Sequence, residues 1–283
     1  MKLFKLSFLA IIMLIVITFA LPVAAKDYRH IKIATEGAYA PYNFKDAGGN
    51  LVGFEIDLAA DLCKRMGIKC SIVEQAWDGI IPSLVAGKYD AIMAGMSIKA
   101  KREKVISFSR YYCATPILFT VLKSSPLADF KTKLKALTLD DVSAEEQATL
   151  DQMRKAFKGK TVGVQVSTTH EDFMIKMMPD IEIKSYDKMD NMILDLLAGR
   201  IDIGLTSLTF LSPLMKKPEG KNLRLIGPVM TKGPFGRGVG VGVRKEDTKL
   251  RDMFSKAIDE AIADGTLSRL AIKWFGFDNS AKE

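Results

Sequence analysis

Short apolar runs alternate with helix-patterned segments twice along this chain, and an extended apolar stretch separates the two series. In the first series residues 31–35 and 68–74 read as strands, and residues 90–94 as a third, buried one. Between them, residues 54–66 carry Ile56, Ala59, Leu62, Cys63 and Met66 on one helical face, and residues 80–85 make a short helix. The second series places strands at 161–166, 181–184 and 201–205, with helices after Thr168 and over 189–198. Gly67, Gly87, Gly159 and Gly199 each close a helical segment. Such alternation predicts an α/β fold with ligands at the carboxyl ends of strands. The extended stretch at 112–122 and a second crossing at Ile226-Gly227-Pro228 would join the two series. The expected architecture is therefore two lobes, each a central sheet flanked by helices, on a two-strand hinge. Lobe 1 takes residues 26–117, lobe 2 residues 118–227, and residues 228–283 return to lobe 1. The polar interval 123–158, with a capping-box pattern at Ser143–Glu146, reads as a surface helical excursion.

The first 25 residues are of a different kind. Lys2 and Lys5 precede an apolar core from Phe8 to Phe19, and Pro22 precedes Val23-Ala24-Ala25, small residues that suit a signal peptidase. This predicts a secretory signal peptide cut after Ala25 and a periplasmic product. A retained membrane anchor is the alternative, and the run is short for a span.

Cysteine use agrees with export. Cys63 and Cys70 close a short loop that a disulfide would bridge in an oxidising compartment, two thiols being the alternative. Cys113 reads as a buried small residue. His30 and His170 are the only histidines and have no metal-ligand spacing, so no metal or other cofactor is expected. The formal charge is +8, but basic and acidic residues are well mixed. No Lys/Arg block interleaved with aromatics appears, which argues against a nucleic-acid partner.

The stretch DAIMAGMSIKAKR from Asp90 carries the first candidate site. A strand ends in Gly95-Met96-Ser97, where glycine lets backbone approach a ligand, and Arg102 follows within a charged helix start. A hydroxyl and a guanidinium beyond a strand end can hold a carboxylate, the arginine as a bidentate fork. In the other series Ser167-Thr168-Thr169-His170-Glu171 opens a helix, a second place for an anion.

With these residues in view, the chain resembles the periplasmic solute-binding proteins of polar amino acid ABC importers, solute-binding family 3. The stretches that carry the likeness are YAPYNF from Tyr39, GFEIDLAADLC from Gly53, DAIMAGMSIKAKR, VGVQVSTTHE from Val162 and GRIDIGL from Gly199, with RKEDTKLR from Arg244 and DGTLSRLAIKWF from Asp264. The Cys63–Cys70 spacing is similar to that of lysine/arginine/ornithine- and histidine-binding members. ATEGAYAP, QAWDGIIPSL and the long insertion before VGVQ look nearest the octopine- and nopaline-binding branch.

The resemblance implies a two-lobed "flytrap" of the periplasmic binding protein fold that closes on one amino acid or opine. It implies delivery to an inner-membrane ABC permease, and a monomer is expected. Arg102, Ser97, Thr168 and Thr169 would hold the α-carboxylate beside the Gly95-Met96 turn, while Tyr39 and Trp77 flank the ligand side chain. Glu36 matches an acidic position that meets a cationic side chain. Gln165 stands where basic-amino-acid binders have an apolar residue, and Ala94 where they have serine. Ser207 replaces an aspartate that pairs with the α-ammonium, and a serine cannot neutralise that charge. The implied ligand is a basic amino acid or an arginine-derived opine such as octopine or nopaline, with histidine or cystine as alternatives. The same fold includes secreted cyclohexadienyl or arogenate dehydratases, for which Glu36 and His170 would supply acid–base groups. Glu55 and Asp57 read as helix-start and surface acids.

Overall fold

A computed structural model describes residues 28–282, so the leader and its expected cleavage site lie outside the described residues. In the first sheet β1 (His30–Thr35) runs parallel to β5 (Lys69–Glu74) and β6 (Ala91–Ile92). There β14 (Val239–Arg244) lies antiparallel between β6 and β7 (Ile106–Cys113). A small antiparallel sheet of β2 (Ala38–Tyr39), β3 (Asn43–Lys45) and β4 (Leu51–Val52) sits beside it, closed by a turn on Asp46 and Asn50.

The second sheet has β10 (Thr161–Gln165) parallel to β11 (Glu182–Tyr186) and β12 (Ile203–Ser207). Across it, β8 (Ile117–Leu122) pairs antiparallel with β12 and with β13 (Leu223–Thr231). The edge is β9 (Ala136–Thr138), parallel to β13. Two passages cross between the sheets, one from β7 to β8 and one from β13 to β14. The second crossing comes later than Ile226-Gly227-Pro228 suggested. Residues Val229–Thr231 still pair with Ala136–Thr138, so the second sheet holds the chain beyond residue 227.

Helices cover the sheets where the apolar faces require it. From α1 (Phe54–Met66), Phe54, Leu58 and Leu62 are wholly buried, each worth roughly 1.5–3 kcal/mol of apolar transfer. The helix stops at Gly67 with a left-handed φ of 65°. A disulfide joins Cys63 to Cys70, tying the last turn of α1 to β5. Cys113 is a buried free thiol facing the Tyr42 hydroxyl. The short α2 (Ile80–Val85) and α3 (Ala100–Glu103) follow in this lobe, and α8 (Thr248–Ala263) and α9 (Thr266–Phe275) return to it from the chain's end. The second lobe carries α4 (Ala144–Phe157), α5 (Thr169–Met177), α6 (Met189–Leu197) and α7 (Leu208–Leu214).

Two expectations change here. The interval 123–158 is part of the second lobe's core and not a surface excursion: Leu137, Leu150, Met153 and Phe157 are buried in one cluster with Phe119 and Phe173. Its helix does begin with the predicted capping box, Ser143 and Glu146 bonding reciprocally. Glu55 is not a surface acid either, being 1% exposed. Asp57 does stay near the surface, where it accepts from Trp274 Nε1 and Lys273 Nζ. Among the described residues no helix is long and apolar enough to cross a membrane.

Candidate functional site: an interlobe cleft

Three strand ends and one helix start converge where the lobes meet. β1 hands over to Glu36, β6 to Ala94-Gly95, and β10 ends at Gln165 just before α5. The space left between them is narrow, a cavity of about 30 Å³. Ten of the twelve ligand-contact residues expected from sequence line it. Glu36, Tyr39, Trp77, Ala94, Gly95, Ser97 and Arg102 come from the first lobe, and Gln165, Thr168 and Thr169 from the second.

Arg102 is the cation of this cleft. It is 6% exposed, and its guanidinium donates to the Ser97 carbonyl at 3.0 Å and, across the cleft, to the Ser167 carbonyl at 3.3 Å. Its carbon lies 5.0 Å from the Trp77 ring centroid, a cation–π contact. Burial pushes its pKa down to about 10. Among the described residues no carboxylate forms an ion pair with it, and a buried charge in that situation favours any anion that can reach it.

The helix start of α5 faces the same space. Thr168 caps it by accepting from Glu171 N at 3.3 Å, and its hydroxyl donates to the Gln165 carbonyl at 2.6 Å. Thr168 and Glu171 make only half of a capping box, because the Glu171 carboxylate turns to Ser167 N and to Ser185. Ser167 takes a positive φ of 59°, which brings its carbonyl round to Arg102.

Glu36 is the cleft's carboxylate. Burial raises its pKa to about 7, against the lowering effect of a hydrogen bond from Gln165. That bond runs from Gln165 Nε2 to Glu36 Oε1 at 2.7 Å, and the same amide also donates to the Asp187 carbonyl at 3.1 Å. Further contacts fasten the rim. Lys99 pairs with Asp172, and Ser167 Oγ bonds Asp78 at 2.7 Å, each from one lobe to the other.

Met96 and Ser207 are absent from the lining. Met96 is wholly buried in a cluster with Trp77, Ala94 and Ile106. Ser207 lies behind Tyr39: its hydroxyl meets the Tyr39 phenol at 2.9 Å and Thr209 at 2.8 Å, and it caps α7 at Phe210 N. Tyr39 also stacks on Phe210 at 5.5 Å, so a first-lobe ring fills the second lobe's hollow there. His170 is buried with neither ring nitrogen bonded, and burial together with Arg102 and Lys99 drives its pKa down to about 3. It is a neutral ring outside the lining. No group of three His, Cys, Asp or Glu side chains able to hold a metal occurs among the described residues.

The sequence pattern of the family described as "Bacterial extracellular solute-binding proteins, family 3" matches residues 31–277. The chain belongs to that family. Among family 3 relatives, the octopine-binding periplasmic protein of Rhizobium meliloti is 41% identical over 274 residues, covering 90% of this chain and 93% of the relative. The histidine-binding periplasmic protein of Escherichia coli K12 is 40% identical over 254 residues, covering 88% and 89%. A solved structure of a periplasmic His/Glu/Gln/Arg/opine family-binding protein from Silicibacter pomeroyi, in complex with lysine, superposes with a TM-score of 0.71. It is 31% identical, with coverage of 89% of this chain and 99% of that one. The family 3 fold is thus the two-lobed α/β fold expected from the strand–helix alternation.

Proposed function

We propose that this family 3 protein is the substrate-binding component of an ABC importer. It binds a basic amino acid or an arginine-derived opine in the interlobe cleft, closes over it, and delivers it to an inner-membrane permease. It works in the periplasm as a monomer without a cofactor. The observation that carries this reading is the pair Arg102 and Glu36: one buried cation and one buried anion line the same cleft, and neither forms an ion pair with the other. A ligand with an α-carboxylate and a distal cation complements both.

Closure follows from where the donors stand. Arg102 and Ser97 come from one lobe, and the start of α5 from the other. An anion held by both gains contacts only in the closed form, which is the differential affinity that a population shift requires. Trp77 and Tyr39 line the cleft as aromatic walls against which the stem of such a ligand would pack. Ser207, engaged by Tyr39, places no carboxylate near the ligand's α-nitrogen, which supports an opine with a second carboxyl group there.

We infer binding and not turnover. Of the two acid–base groups a dehydratase would need, His170 is neutral and outside the lining, and Glu36 is engaged by Gln165. Mass spectrometry of small molecules released from the exported protein tests the reading. Arginine, lysine or an arginine opine is expected. Turnover of prephenate or arogenate by the purified protein would overturn it.

A further inference from the structure

Glu55 sits in the first turn of α1, outside the cleft, and its carboxylate accepts three hydrogen bonds from distant parts of the chain. Gly95 N donates to Oε1 at 2.7 Å, and the Tyr112 hydroxyl donates to the same oxygen. Asn43 Nδ2 donates to Oε2 at 2.6 Å. Asn43, itself wholly buried, then accepts at Oδ1 from Gly37 N at 2.8 Å. Among the described residues no Lys or Arg forms an ion pair with Glu55. The group is held by dipoles alone, and burial raises its pKa, the bonds from Tyr112, Gly95 and Asn43 only partly offsetting it.

The two glycines at the ends of this chain of bonds are the pivots of the ligand-facing turns. Gly37 has φ +71° and follows Glu36; Gly95 has φ +62° and lies between Ala94 and the Met96-Ser97 turn. The Tyr39 ring rests on Gly95 so closely that a Cβ there would lie 3.0 Å from it. We propose that Glu55 is a positioning residue for ligand binding: its single carboxylate fixes the spacing between the turn carrying Glu36 and Tyr39 and the turn carrying Ala94, Gly95 and Ser97. The inference rests on the reading of Glu36 as the partner of a cationic ligand.

The bond directions make the network unforgiving. Every group around Glu55 donates, so an amide at that position must aim its own donors at Gly95 and Tyr112 or at Asn43. In the second case Asn43 escapes only by rotating its amide, which turns a donor toward Gly37 N and breaks that bond as well. A substitution outside the cleft therefore disturbs one or the other of the ligand-facing turns, and with it their spacing.

The test uses Glu55→Gln and Asn43→Ala in the full mature protein, titrated with arginine and with citrulline, its neutral isostere. Amide hydrogen exchange at Gly37 and Gly95 is measured without ligand. Both variants are expected to lose about tenfold or more of the arginine-over-citrulline preference. Exchange should speed up about tenfold at Gly95 or at Gly37 in Glu55→Gln, and at Gly37 in Asn43→Ala, while α8 keeps its protection. Variants that keep the wild-type preference overturn the proposal, whether or not their melting temperature falls, and so does unchanged exchange at both glycines. A wild-type protein that binds neither these two nor lysine, octopine or nopaline would instead overturn the functional reading, and the exchange rates would still decide the role of Glu55.

Discussion

Gln165 reaches across the cleft and donates from Nε2 to Oε1 of Glu36 at 2.7 Å, so the cleft's anion is already held by the opposite lobe. A cationic ligand must share or displace that amide, and it needs Glu36 ionised. Removing the carboxylate by Glu36→Gln should weaken arginine by about 2–3 kcal/mol and leave citrulline within a factor of a few. Calorimetric titration of both ligands reads the difference; equal losses for the two would show that Glu36 does not face the distal group.

The same carboxylate sets a pH dependence. Its pKa is raised from 4.5 to about 7 by burial. Arginine affinity should therefore rise by up to about tenfold per pH unit below that value and level off above it, with proton release on binding. The free protein should behave in the opposite sense. Between 4.5 and about 7 the folded state keeps a proton that the unfolded chain has lost, so this group's contribution falls as pH rises through that window. Titrations in buffers of different ionisation enthalpy measure the proton; a flat profile contradicts the assignment.

Arg102→Ala should cost any α-carboxylate ligand about 2–5 kcal/mol, because it removes a charge-assisted partner from a closed cleft. Arg102→Lys should recover only part of this, since a lysine lacks the planar fork that reaches both Ser97 and Ser167 carbonyls. Affinity unchanged in Arg102→Ala would place the carboxylate elsewhere.

The Lys99–Asp172 pair spans the lobes with side chains that are 12% and 23% exposed. Both residues lie outside the cleft lining, so the pair is expected to act on closure and not on the ligand directly. Asp172→Asn should lower affinity by about two- to tenfold, mainly through faster dissociation, and the wild-type advantage should shrink at high salt. Stopped-flow dissociation rates with and without salt check this; identical rates for variant and wild type would remove the pair from the closing mechanism.

Much of this organisation is legible in sequence because it is local. The β1, α1, β5 series and the β10, α5, β11 series each announce themselves by period. Gly95, Ser97, Arg102, Thr168 and Thr169 follow from turns that end strands, while Glu36, Tyr39, Trp77, Ala94 and Gln165 follow only from the resemblance to family 3. What sequence hides is long-range. Glu55 looks like an ordinary first-turn acid, and its burial depends on Gly95 and Tyr112, which lie 40 and 57 residues away. The three-residue β9 strand sits in a polar interval and gains its identity only by pairing with β13. The bond that the Tyr39 phenol makes to Ser207 from the other lobe is likewise invisible in sequence.

Ser207 offers a test between the two ligand classes. Ser207→Asp would add a carboxylate that could pair with a ligand's α-ammonium, at the cost of the Tyr39 contact. Octopine, with a second carboxyl on that nitrogen, should lose at least about tenfold relative to arginine. An unchanged octopine-to-arginine ratio would mean that residue 207 does not sense the α-nitrogen.

The most direct measurement is a calorimetric titration of the mature wild-type protein, freed of co-purified ligand, with arginine, lysine, octopine and nopaline. The predicted result is one site per chain with a dissociation constant of about micromolar or tighter for at least one of them, lost in Arg102→Ala. No binding of any of the four at about millimolar ligand would contradict the assignment of the cleft.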